Sequence, residues 1–202
     1  MNIGFLASHN GSNMQAVVDA CKMAALDGVP AVVVSNNARS KVLERAKTEG
    51  IPGYHLSSVT HPDVQALDRA IADVMKKHAV DVILLAGYTK RLGPETIAEF
   101  EGRILNIHPA LLPKFAGKGM YGMSVHDAVI ESGDTESGVT VHVVDTEYDS
   151  GPIVAESRVS VKPTDTPQAL AERVLAREHE FVPQVLQRIA AGEIELRKPL
   201  EP

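Results

Sequence analysis

The chain of 202 residues holds one cysteine, Cys21. An intramolecular disulfide is therefore excluded, a cysteine-based zinc set with it, and a reducing compartment is expected. A basic excess is also missing. Against 26 Asp and Glu stand 20 Lys and Arg, a net charge of −6, with an isoelectric point near 5.7. No basic stripe stands out, so nucleic acid is not the expected partner. The longest apolar run, AVDVILLAGY (79–88), is too short to span a bilayer and carries Asp81. The opening MNIGFLASHNGS has neither a basic n-region nor a long apolar core and does not read as a signal peptide. A cytoplasmic location, with no membrane partner, is the expectation. There is no HExxH, no GxSxG elbow, no GxGxxG and no GxxxxGK[ST], and no repeat or low-complexity linker. His9, His55, His61, His78, His126, His142 and His179 show no ligand spacing, so no metal is expected.

What is present reads as one soluble domain with a substantial core: 44% hydrophobic and 23% charged residues are ordinary for a globular chain. Short β-rich runs alternate with helical stretches. NIGFLAS (2–8) is a first strand, and Ser12 to Ala25 a helix with Met14, Val17, Val18 and Cys21 at helical spacing. AVVVS (31–35) is a second strand, continuous in valine and so buried on both faces. A short polar helix (39–49) and a third strand (53–58) follow. Pro62 stands at the expected first position of the next helix, with Val64, Leu67, Ile71 and Val74 on one face. VDVILLAGY (80–88) and RILNIHP (103–109) are strands four and five, with a short helix opened by Pro94 between them. A helix over SVHDAVIES, strands at 138–145 and 152–161, and a long helix from Thr166 complete the pattern. It predicts an α/β fold: a mostly parallel twisted sheet, helices on both faces, and an antiparallel C-terminal edge.

In such sheets ligands sit past the carboxyl ends of strands. SHNGSN (8–13) follows strand one; Gly11, Ser12 and Asn13 at a helix start suit an anion, or form an ordinary turn and cap. In NIHPALLP (106–113), Asn106 and His108 share one face of strand five, with Leu105 and Ile107 on the other. An amide donor beside an imidazole can hydrogen-bond an oxyanion and move a proton, or be a satisfied buried pair. The turn VVDTEYDSGPI (143–153) carries Asp145, Glu147 and Asp149. It is either a solvated acidic loop or the source of one carboxylate that reaches a histidine and raises its pKa. LLAGYTKRLGP (84–94) is a basic surface turn or the wall of a pocket for a planar ligand, and FAGKGMYGMS (115–124) a mobile loop or a lid. His142, in the strand before the acidic turn, reads as structural.

Together NIHPALLPKF, HVVDTEYDSGPI and LASHNGSN resemble the phosphoribosylglycinamide formyltransferases, folate-dependent glycinamide ribonucleotide transformylases of purine biosynthesis. The resemblance covers about residues 1 to 190. NIHPALLP with D-x-G-P marks the wider formyl-folate transferase and hydrolase superfamily, and SHNGSNMQA narrows it. It implies transfer of a formyl group from 10-formyltetrahydrofolate to glycinamide ribonucleotide, without a metal. It implies a catalytic trio of Asn106, His108 and Asp149, with Asp149 holding His108 charged. It implies ribonucleotide binding by Gly11, Ser12, Asn13 and Glu178 of REHEF. It implies folate binding by Tyr88, Thr89, Lys90, Arg91 and Leu92, by Asn106, and by Asp145, Thr146, Glu147, Tyr148 and Asp149. The domain spans 1–202, with a Rossmann-type ribonucleotide half over about 1–100 and a catalytic and folate half over about 101–202. A homodimer is compatible with all of this, and the oligomeric state is not fixed. Val64 stands where some relatives carry an Arg toward the charged side of the folate, and the 115–124 loop is longer than in some members.

Three other readings are weaker. A formyltetrahydrofolate hydrolase uses the same trio with water as acceptor, but normally has an extra N-terminal regulatory domain. A methionyl-tRNA formyltransferase needs a further basic C-terminal domain. A non-catalytic folate or nucleotide binder has no need of a proton-handling histidine beside a carboxylate.

Overall fold

The computed structural model describes residues 1–196; the last six residues of the expected domain span, 197–202, lie outside them. The β-branched runs become strands because both of their faces are covered. β1 (Asn2–Leu6) and β4 (Val82–Leu85) are almost wholly buried, and β2 (Val29–Ser35) is buried from Val32 onward, as parallel strands under two helical layers must be. The sheet also contains β3 (Gly53–His55), β5 (Ile104–His108), β6 (Glu136–Val143) and β7 (Ile153–Ser160), in the order β3-β2-β1-β4-β5-β6-β7. Pairing is parallel from β3 through to β5 and antiparallel for β5–β6 and β6–β7. The expected mostly parallel sheet with an antiparallel C-terminal edge is what forms.

Two apolar cores flank the sheet. On one face α1 (Ser12–Lys22), α5 (Met123–Ser132) and α6 (Pro167–Ala190) cover Phe5, Leu84, Leu105, Ile107 and Val141. On the other, α3 (Val64–Lys77) and α4 (Pro94–Glu99) cover Leu6, Val34, Ile83 and Ile104. Leu105 and Ile107 therefore point one way, and Asn106 and His108 lie on the opposite side of β5 by strand alternation. The short α2 (Lys41–Thr48) packs beside β2 and β3.

Several boundaries move. Pro62 is not the first residue of α3: Asp63 is the cap, its side chain accepting from Ala66 N at 2.7 Å, and the helix begins at Val64. A carboxylate that satisfies a free N–H is the stronger start signal, and Pro62 sits in the approach. β3 and β4 are also shorter than expected, which leaves Tyr88–Leu92 wholly in a loop. Thr166 caps α6 through Ala169 N as expected. Among the described residues no helix is long and apolar enough to cross a membrane.

Candidate active site

The strand order reverses between β1 and β4, and the loops leaving these two strands are tied together. Ser8 N donates to Gly87 O at 3.1 Å, and Thr89 N donates to Ser8 Oγ at 2.9 Å. A crevice at this switch point is where open α/β sheets hold ligands. The expected ribonucleotide and folate loops both start here.

On the β1 side, Gly11 takes a left-handed conformation (φ 71°) just before α1. A Cβ there would lie 2.5 Å from Val42 Cγ2, so only glycine brings the turn this close to α2. The free N–H groups of Ser12 and Asn13 head α1, with no side-chain cap occupying them. Asn13 Nδ2 donates to Glu178 Oε2 at 2.6 Å across 165 positions of sequence. Gly11, Ser12, Asn13 and Glu178 are thus brought together. Glu178 is 6% exposed, and burial pushes its carboxyl up to about 7 against the opposing pull of Asn13.

On the other side of the sheet centre, Arg91 joins two of the expected folate segments. Its guanidinium donates to Thr146 O and lies over the Tyr148 ring, 5.6 Å from the centroid. Tyr88–Leu92 and Asp145–Asp149 therefore face each other as two walls. Asp145 Oδ1 accepts from Glu147 N and Ser150 Oγ, each at 2.9 Å, and so braces its own turn. Tyr88 is largely buried and its hydroxyl is pushed up to about 12 by that burial. Tyr88, Lys90, Arg91 and Leu92 also line a cavity of about 810 Å³ that runs to Arg39, Val59, Val64 and Leu67. None of the expected trio lines this cavity.

The trio itself meets at the end of β5. His108 is 2% exposed, and its Nε2 donates to Phe115 O at 2.8 Å. A carbonyl can only accept, so Nε2 carries the proton. That leaves Nδ1 facing Asp149 Oδ1 at 3.8 Å, too long for a hydrogen bond. Asp149 Oδ2 accepts from Gly117 N at 3.1 Å. The glycine loop 115–124 is therefore laid over the histidine and the carboxylate by one hydrogen bond to each. Asp149 itself has a left-handed backbone (φ 53°), tolerated better by Asp than by most residues.

The charge balance at His108 corrects the expectation. Burial pushes its pKa below the ordinary histidine value; Asp149 and the Phe115 carbonyl pull it up and do not prevail. Asp149 is the group held ionised: burial opposes this, but its pKa stays below the ordinary carboxylate value, with the Gly117 N–H and His108 among the groups that favour the anion. His108 is thus favoured in its neutral form, not held charged.

Two further histidines stand near the trio, and one of them, His142, reads as structural from the sequence alone. His142 stands directly opposite Asn106 in the antiparallel β5–β6 ladder. Its Nε2 lies 3.0 Å from Asn106 Nδ2 and 3.6 Å from Asp149 Oδ1. The signal that points to it is strand register, which depends on pairing across 36 positions. His126 is buried on α5; burial, and to a lesser extent the nearby His108, push its pKa below the ordinary histidine value, and its Nδ1 has no hydrogen-bond partner among the described residues. Among the described residues no group of three or more His, Cys, Asp or Glu is arranged to hold a metal ion.

Comparison with known proteins bears on the family of the chain. The formyl transferase family matches residues 1–186. The chain belongs to the formyl transferase family. Within it, the chain is 37% identical over 198 residues to the phosphoribosylglycinamide formyltransferase of Escherichia coli K12, covering 98% of this chain and 91% of that one. It is 40% identical to the chloroplastic phosphoribosylglycinamide formyltransferase of Arabidopsis thaliana, over 97% of this chain and 68% of that one. The crystal structure of glycinamide ribonucleotide transformylase 1 from Symbiobacterium toebii superposes with a TM-score of 0.90 at 36% identity, covering 98% of this chain and 91% of that one. The chain is an enzyme of this formyltransferase branch, which serves purine biosynthesis.

Proposed function

We propose that the cluster at the end of β5 transfers the formyl group of 10-formyltetrahydrofolate to the amino group of glycinamide ribonucleotide, giving formylglycinamide ribonucleotide and tetrahydrofolate. The observation that carries this reading is the meeting of an amide donor, an imidazole and an ionised carboxylate at one strand end, under a loop bonded to two of them. The folate co-substrate supplies the formyl carbon, to which the amine adds to give a tetrahedral oxyanion. Asn106 Nδ2 donates a hydrogen bond to that oxygen. His108 acts through Nδ1, because Nε2–H is engaged by Phe115 O. Its lowered pKa leaves Nδ1 unprotonated at neutral pH, ready to take the proton that the attacking nitrogen must lose. Asp149, whose Oδ1 lies 3.8 Å from Nδ1, stabilises the resulting imidazolium. The proton then passes to the departing nitrogen, which balances the exchange.

The remaining roles follow the same reading. The N–H groups at the start of α1 bind the phosphate, with Gly11, Ser12 and Asn13 as its cradle and Glu178 positioning the ribonucleotide. The folate ring lies between Tyr88–Leu92 and Asp145–Asp149, walls that Arg91 already holds together. Val64 offers no charge to the folate carboxylates; Arg39, Lys90 and Arg91 are the cations lining the same cavity. No metal takes part. The first half of the chain, about 1–100, carries the phosphate cradle, and the second half, about 101–202, carries the trio.

The test is to follow tetrahydrofolate release from formyl-folate with and without glycinamide ribonucleotide. Release that depends on the acceptor is expected. Release without it would identify a hydrolase, and no release in either case would leave a binding module. His108→Ala and Asp149→Asn should each lower turnover by orders of magnitude in folded protein, and near-normal rates in either would remove the mechanism. Asn106→Ala should cost about 10²–10³-fold, as loss of one oxyanion donor does.

A further inference from the structure

An asparagine amide has two ends of nearly equal shape, a donor NH₂ and an acceptor oxygen. A donor role requires the NH₂ end at the reacting oxygen. Something must decide between the two orientations, since in a flipped amide the oxygen would repel the oxyanion.

We infer that His142 is the residue that makes this choice. It is a positioning residue for Asn106, and the inference rests on the oxyanion-donor reading of Asn106 above. His142 is 2% exposed, so its ring is held by packing. Its Nδ1 lies 3.0 Å from Val143 O. The backbone carbonyl has no proton to give, so Nδ1 carries the hydrogen. In the neutral ring Nε2 is then a bare lone pair. It stands 3.0 Å from Asn106 Nδ2, and only the NH₂ end of the amide can satisfy it. Asp149 Oδ1 is 3.6 Å from the same nitrogen, beyond hydrogen-bond length, so Asn106 holds the lone pair. The chain of bonds runs Asn106 N–H to His142 Nε2, then His142 Nδ1–H to Val143 O. One hydrogen of the amide is used in this contact, and the second remains for the substrate oxygen. The register of β5 and β6 builds the contact, because Asn106 and His142 are opposite partners in the ladder. Protonation of Nε2 would set two donors face to face and release the amide toward its flipped state. Asp149 is the anionic side chain beside that nitrogen.

The test is a mutant cycle with steady-state kinetics in both substrates. His142→Leu removes the acceptor and should lower kcat by roughly 10–100-fold, a part of the loss expected for deleting the donor, with both KM values nearly unchanged. His142→Gln presents an amide oxygen near the Nε2 position and should restore most of the rate. In an Asn106→Ala background, His142→Leu should cost nothing more, because its effect passes through Asn106. A wild-type rate in His142→Leu would overturn the inference. So would a loss that multiplies with that of Asn106→Ala, since His142 would then act independently. If Asn106→Ala alone kept the wild-type rate, the donor reading itself would fail, and the inference with it. A direct readout holds even where His142→Leu does not fold. Nitrogen NMR of histidine-labelled wild-type protein at neutral pH should show His142 protonated at Nδ1 and bare at Nε2. A proton on Nε2 would refute the assignment.

Discussion

Glu178 is a carboxylate placed where ionisation is costly, and replacing it with glutamine tests that directly. It sits on the inner face of α6 with 6% exposure, and its one hydrogen bond among the described residues comes from Asn13 Nδ2 at 2.6 Å. Burial raises its pKa from 4.5 to about 7. For an acid whose folded pKa is raised, the folded state binds the proton more tightly than the unfolded one. Its contribution to stability is therefore full below pH 4.5 and is lost as pH rises through about 7. At about 1.4 kcal/mol for each tenfold change in proton affinity, the gap amounts to about 3 kcal/mol at alkaline pH. Glu178→Gln keeps a carbonyl acceptor for Asn13 and removes the ionisation. Urea unfolding of both proteins without ligand, at about pH 5 and about pH 8.5, isolates the effect, because other titrating groups cancel in the difference. The stability of Glu178→Gln relative to wild type should rise by roughly 2–3 kcal/mol between the two conditions. A difference that does not change with pH would refute the reasoning, whatever its absolute size.

Other perturbations reach different parts of the structure. Asp68 is buried and its carboxylate accepts from Glu95 N, Thr96 N and Thr96 Oγ1 at the start of α4; Asp68→Ala should cost about 2–4 kcal/mol in urea unfolding, and Asp68→Asn less. Because His108 Nδ1 must be unprotonated and its pKa is depressed, kcat/KM should fall only on the acid side of pH 6.5. Asp149→Asn removes the anion that pulls that pKa up, so the residual activity should show its acid limb at lower pH still. Gly151→Ala would place a Cβ 1.9 Å from Val143 O, and the turn carrying Asp149 must shift to admit it. Thermal unfolding and turnover should both suffer, the first by about 1–3 kcal/mol.

The sheet was readable because burial on two faces imposes its own composition. Val32, Val33 and Val34 in succession are intelligible only under two helical layers, and the short β6–β7 connection permits only antiparallel pairing. The face of Asn106 and His108 followed from strand period alone. Three features were not readable, and each depends on a distance the sequence does not encode. The link from Asn13 to Glu178 spans 165 positions and exists only because α6 packs on α1. The pKa of His108 was expected to rise because a carboxylate lies near it. It falls instead because that carboxylate is 3.8 Å away while the ring is almost wholly buried, and desolvation wins at that separation. His142 looked structural because it has no motif around it. Register gives it meaning: shifting β6 by one residue would turn it to the opposite face, and by two would set Thr140 or Val144 opposite Asn106. The trio can thus be named from short motifs, whereas the proton positions that make it work depend on how β5 and β6 align.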